Sequence, residues 1–170
     1  AIVAAMLEAN GLRAERFVAA QVLGPHVGRT VRAGDFERLA HLNELRDRPA
    51  ELRAFLDRLG HKLALELGRS SQLSMDGIYR LLMTRKASDL ADLFWMGIAH
   101  GATTYDNIGL LQHLDVSNMA SYDRLHTSNL HELAPGLVVE PGRVMELFSS
   151  ELYRFTYEVS SPAERKVLSK

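Results

Sequence analysis

From Pro49 onward, apolar residues return every three or four positions: Leu52, Phe55, Leu56, Leu59, Leu63 and Leu67. That period gathers them on one face of an α-helix over residues 49–67, with Pro49 at its start, where a missing N–H costs nothing. The chain therefore reads as mainly α, and similar spacing recurs along it. The Ala-rich segments 2–9 and 12–23 are expected to be helices, punctuated by Gly11 and by Gly24-Pro25. Asp35 is expected to cap a helix reaching Arg46, with Phe36, Leu39, Leu42 and Leu45 on one face. Ser74 is expected to open a helix that ends at Lys86-Ala87. Ser88 then starts another, which ends near Gly97 and Gly101. Pro141 is expected to open a long helix to about Val159, with Val144, Leu147, Phe148, Leu152 and Phe155 on the core side. Ser160-Ser161-Pro162 stops it, and a short helix closes the chain.

Little of the sequence reads as strand. Residues 25–34 look like a loop with a strand-like piece. Residues 108–114 are too short and too apolar for a surface helix, so they read as a short buried strand or hairpin. Residues 116–135 are irregular and polar, and 136–140 read as one further strand. Gly60 weakens its helix by about 1 kcal/mol relative to Ala and admits a close neighbour.

The 170 residues suit a single helical domain. A net charge of -1 offers no general attraction to nucleic acid or to an acidic membrane, so neither is expected as a partner. Arg29 with Arg32, and Arg80 with Arg85 and Lys86, read as solvated surface. The absence of cysteine excludes disulfides and zinc–thiolate sites and fits a cytoplasmic protein. No apolar run approaches the roughly 18 residues of a membrane span. The chain opens inside an apolar helical pattern, without Met and without a signal-peptide pattern. It is therefore expected to be the C-terminal part of a longer protein.

The chemistry concentrates in residues 95–118. There an apolar helix end is followed by a polar loop, an apolar segment and an acidic residue. His100, Asp106, Asn107 and Asp115 lie in this stretch. Two carboxylates and an amide make a hard, all-oxygen set of the kind that suits Mg2+ carrying phosphates. Asn107 lies seven positions after His100, the spacing of the His-x-Asp-x-x-x-x-Asn catalytic loops of kinase-like enzymes. Position 102 is Ala rather than Asp, and Asp106 stands directly before Asn107 instead. Taken singly, each residue also has a structural role open to it. Asp-Asn before Ile-Gly is a good turn, Asp115 can cap the next segment, and His100 can meet free helix carbonyls.

His100-Gly101, four residues, Asp106-Asn107, an apolar stretch and Asp115 together resemble the selenoprotein O family, over residues 88–129. The resemblance implies the helical C-terminal lobe of a protein-kinase-like fold, with a short β hairpin at the catalytic loop. It implies transfer of AMP from ATP to protein hydroxyls. Asp106 would be the catalytic base, Asn107 and Asp115 the Mg2+ ligands, and His100 and Gly101 the supporting start of the loop. The stretch from Asn107 to Asp115 is about one residue shorter than in the family. Asp115 is followed by Val116-Ser117-Asn118 rather than by an aromatic residue and Gly. No Gly-rich phosphate loop, ion-pairing Lys or helix Glu of an N-terminal lobe is recognisable, so a missing lobe or a partner chain is implied.

Three function classes are open on this reading. The first is an ATP- and Mg2+-dependent transferase acting on a hydroxyl of a protein, peptide or small molecule. The second is a non-catalytic helical interaction or regulatory module that uses the N-terminal helices with Phe148, Tyr153, Phe155 and Tyr157. The third is a ligand-binding domain with a pocket at Trp95 and Tyr105. His126 and His131 are five residues apart, a spacing that does not put two imidazoles on one helical face.

Overall fold

The computed structural model describes residues 2–25, 27–99, 104–114, 119–121 and 130–170, with backbone alone at 2, 3, 28, 120, 121 and 130–141. The chain is mainly helical. Its helices are α1 (Ile2–Ala9), α2 (Leu39–Glu44), α3 (Pro49–Glu66), α4 (Met75–Trp95), α5 (Leu130–Val159) and α6 (Pro162–Leu168). Two antiparallel strand pairs accompany them: β1 (Arg16–Gly24) with β2 (Val27–Ala33), and β3 (Ile98–Ala99) with β4 (Ala120–Ser121).

The core lies where α3, α4 and α5 meet. Leu52, Leu56, Leu59 and Leu63 of α3 face Ile78, Leu82, Leu90 and Leu93 of α4 and Val144, Phe148, Leu152 and Phe155 of α5, all of them buried. These are the periodic positions of the sequence, and their burial is what holds the helices. A Cβ at Gly60 would stand 2.6 Å from Ile78 Cδ1 and 3.3 Å from the Leu73 carbonyl, so the Gly in α3 lets the start of α4 approach closely. Helix α6 lies against α4 and α5. Ser161 and Glu164 cap it reciprocally, and Glu164 also accepts from Arg53 at 3.0 and 3.1 Å.

Four expectations are corrected. Residues 16–24 form β1 rather than helix. Strand pairing wins because Gly24-Pro25 turns the chain onto Val27–Ala33. The apolar alternation that would have marked a strand is broken by register shifts at Phe17/Ala19 and Val22/Gly24. The ribbon also stands largely in solvent, with Val22 84% exposed, so no burial pattern marks it. Helix α4 runs unbroken through Lys86, Ala87 and Ser88. Neither Gly nor Pro interrupts it between Gly77 and Trp95, and propagation of an existing helix is easier than a new start. Helix α5 likewise runs through 136–140 and Pro141, so no strand forms there and Pro141 does not begin the helix. Finally, Asp35 pairs with Lys62 instead of capping, and α2 begins at Leu39.

Candidate functional site

The loop that carries Asp106 and Asn107 is built at the C-terminal end of α4. Ser74 starts that helix by accepting from the Gly77 N–H at 3.1 Å, as its N-cap position predicts. Gly97 ends it in the left-handed region (φ 69°), with its N–H on the Phe94 carbonyl at 3.0 Å. The chain then enters β3. Ile98 pairs with Ser121 and Ala99 with Ala120, so the two ends of the loop are held side by side.

Within the loop, residues 104–107 form a turn. The Asn107 and Ile108 N–H groups both donate to the Thr104 carbonyl, at 3.0 and 3.2 Å. Asn107 Nδ2 donates to Thr104 Oγ1 at 3.1 Å, so this bond engages the amide nitrogen and not Oδ1. Arg38 Nη1 donates to the Asp106 carbonyl at 2.7 Å, while the Asp106 side chain is exposed and makes no hydrogen bond or ion pair among the described residues. Backbone bonds from Leu39 to Ile108 (3.0 Å), Ala40 to Tyr105 (3.2 Å) and Leu110 to Glu37 (2.7 Å) stitch the turn to the start of α2.

Residues 108–114 are wholly buried, as their apolar character predicts, but they form isolated bridges rather than a strand. Arg38 pairs with Gly109, and Ala14 with His113. At Gly109 a Cβ would meet the Gln112 carbonyl at 2.2 Å and Leu114 Cγ at 3.0 Å, so only Gly allows this tight course. His113 is pinned on both sides: its N–H donates to the Arg13 carbonyl at 2.8 Å, and its carbonyl accepts from Glu15 at 3.1 Å.

A buried polar cluster stands beside this segment. His113 Nε2 lies 3.9 Å from Asp89 Oδ2. Lys86 is 3% exposed, with its ammonium 5.4 Å from the centre of the Phe148 ring. Burial pushes the Lys86 amine down to about 8 against the pull of Asp89. Burial raises the Asp89 carboxyl, which Lys86 and Arg13 draw back. The phenol of Tyr105 is raised by desolvation and by the neighbouring Glu151 carboxylate. The sequence held a signal for this cluster. Lys86 falls on the stripe of Ile78, Leu82, Leu90 and Leu93, where an apolar residue is expected.

No family model, curated protein or solved structure matches this chain.

Of the expected site residues, Asp106 and Asn107 sit side by side in the turn, whereas His100, Gly101 and Asp115 lie outside the described residues. Asp106 and Asn107 present the hard oxygen donors that Mg2+ prefers. Among the described residues no three His, Asp or Glu side chains are grouped to hold a metal. His126 and the side chain of His131 also lie outside the described part of the chain. Phe148 and Phe155 are core residues rather than contact surface, whereas Tyr157 is part-exposed and stacks on Tyr153 at 5.7 Å. Trp95 is 84% exposed and lines an apolar cleft of 390 Å³ with Leu90, Phe94 and Met145. Tyr105 is not part of that cleft. Among the described residues no helix is long and apolar enough to cross a membrane.

Proposed function

We propose that the chain carries the catalytic loop of an ATP- and Mg2+-dependent transferase of kinase-like type. It moves AMP or phosphate to a hydroxyl of a protein, peptide or small molecule. The observation that supports this reading is the 104–107 turn. It offers to solvent an Asp106 carboxylate that has no partner among the described residues, beside an Asn107 whose amide nitrogen is already engaged, on a loop tied at both ends. An exposed carboxylate on a fixed turn is suited to orienting an acceptor hydroxyl and taking its proton. The acceptor oxygen attacks phosphorus and either pyrophosphate or ADP leaves, according to whether AMP or phosphate moves. Asn107 and Asp115 would hold Mg2+, which would supply neutralisation of phosphate charge.

Calorimetric titration of ATP, with and without Mg2+, into the chain, the whole natural polypeptide, and Asp106→Ala and Asp115→Ala variants tests this. Mg2+-dependent binding that Asp115→Ala removes, with labelled acceptor formed by the native form and not by Asp106→Ala, supports the transferase. Absence of binding by both chain and whole polypeptide overturns it.

The Trp95 cleft favours a second reading, a helical interaction module. An exposed indole beside an apolar cleft is typical of contact surfaces. That reading gains if nucleotide binding is absent while Trp95→Ala leaves the fold intact and removes binding to a purified partner.

A further inference from the structure

Exposed apolar side chains gather on the β1–β2 ribbon: Val18, Val22, Leu23, Val27 and Val31. Apolar clusters in solvent mark contact with a protein or a membrane, and the layout of this one separates the two. Val31 pairs with Ala19, and Val22 with Gly28. Positions 28 and 31 are three apart, so Val31 and Val22 leave opposite faces of the ribbon. Val22, Leu23 and Val27, which are 84%, 58% and 60% exposed, flank its tip. A folded partner would cover one face, whereas a fluid hydrocarbon layer surrounds an inserted tip on all sides.

The charge of the ribbon has one sign. Residues 16–34 contain Arg16, Arg29 and Arg32 and no Asp or Glu, so the acidic residues behind the net charge of -1 lie elsewhere. Glu15 takes Arg32 at 2.9 Å and fixes the root of the ribbon. Arg16 reaches Glu8 only at 3.9 Å, beyond hydrogen-bond distance. Arg29 is exposed and makes no ion pair among the described residues. Pairing with the ribbon of a second copy would set like charges against each other.

We propose that the ribbon inserts its tip into the surface of a bilayer that carries anionic lipid. Val22, Leu23 and Val27 enter the acyl boundary, and Arg29 meets the anionic headgroups. The dimensions agree. A strand rises about 3.3 Å per residue, so Arg29 stands roughly 7 Å behind Val27. Interfacial elements sink their apolar part by about 5–10 Å. Arg16, opposite Ala33, stands roughly 13 Å behind Arg29. A charged surface is screened within about 8–10 Å, so Arg16 contributes less than Arg29. The inference does not rest on the Asp106 turn.

Sedimentation with vesicles tests it on the chain and on the whole natural polypeptide. Both are expected to bind phosphatidylserine mixed equally with phosphatidylcholine, and not phosphatidylcholine alone. Affinity should fall at least about fivefold in Arg29→Glu, and less in Arg16→Glu. It should fall at least about tenfold in Leu23→Asp, as loss of one inserted apolar side chain requires. The chain has no cysteine, so Leu23→Cys takes a single environment-sensitive fluorophore. Its emission should shift to the blue on vesicles and be quenched by nitroxide-labelled acyl chains. The same label at Leu65→Cys, an exposed position of α3, should stay in water. Absence of vesicle binding by either form overturns the inference. So does a label at position 23 that stays in water, or an affinity indifferent to both Leu23→Asp and Arg29→Glu. Soluble poly-glutamate bound as tightly as the vesicles would assign the ribbon to an acidic protein and overturn it as well.

Discussion

The Lys86 ammonium lies 5.4 Å from the centre of the Phe148 ring, and this contact joins α4 to α5 through a buried charge where both helical stripes call for an apolar side chain. Its partial compensation by the ring and by Asp89 does not restore the lost hydration.

Lys86→Met is therefore expected to stabilise the fold at pH 7, by about 1–3 kcal/mol, because it fills the same stripe without a charge. The folded amine titrates near 8 and the unfolded one near 10.5. Between those values the unfolded chain binds more protons, so the native protein gains stability as pH rises. The advantage of Lys86→Met should shrink from pH 8 to 10 in urea denaturation. An advantage independent of pH would show that the charge is not what costs stability.

The Glu164 carboxyl titrates near 2, held down first by its hydrogen bonds from Arg53. A depressed carboxyl contributes stability that is complete above the unfolded value near 4.5 and is lost as pH falls toward 2. Glu164→Gln should flatten the fall in Tm between pH 5 and pH 2.5, and α6 should detach first. Glu164 is partly exposed, so the effect is modest.

Two glycines give opposite responses. Gly109→Ala forces a Cβ against the Gln112 carbonyl and should destabilise by about 1–3 kcal/mol. Gly142→Ala meets nothing within 4 Å inside α5 and should stabilise by roughly 0.5–1 kcal/mol. Thermal melts of the two variants check both signs.

Asp106→Ala should leave stability within about 0.5 kcal/mol of the native value, because the side chain is exposed and has no partner among the described residues. Removing Mg2+ should then mimic Asp115→Ala in the nucleotide titration. A large loss of Tm in Asp106→Ala would instead make the residue structural.

How far the sequence could be read depends on which force dominated each segment. Helix α3, the Ser74 cap and the closing α6 were legible because apolar period, Pro and caps agree there. Strand β1 was not, because its residues are placed by pairing with β2 rather than by burial, whereas the strand-like piece within 25–34 is β2 itself. The helix break expected at Lys86-Ala87 does not occur, because Lys86 falls in phase with the apolar stripe and α4 continues through it. Asp106 and Asn107 were legible as a turn from their own side-chain chemistry.

The two residue pairs of β3 and β4 have an evolutionary consequence. A loop with its stems fixed grows more costly only slowly, by about 0.6 kcal/mol for each doubling in length. Insertions beside the exposed Thr104 therefore cost the fold little, whereas residues 108–114 are buried and do not admit them. Change under selection can therefore gather on the exposed side of the loop while its buried part and the helices beneath it stay constant.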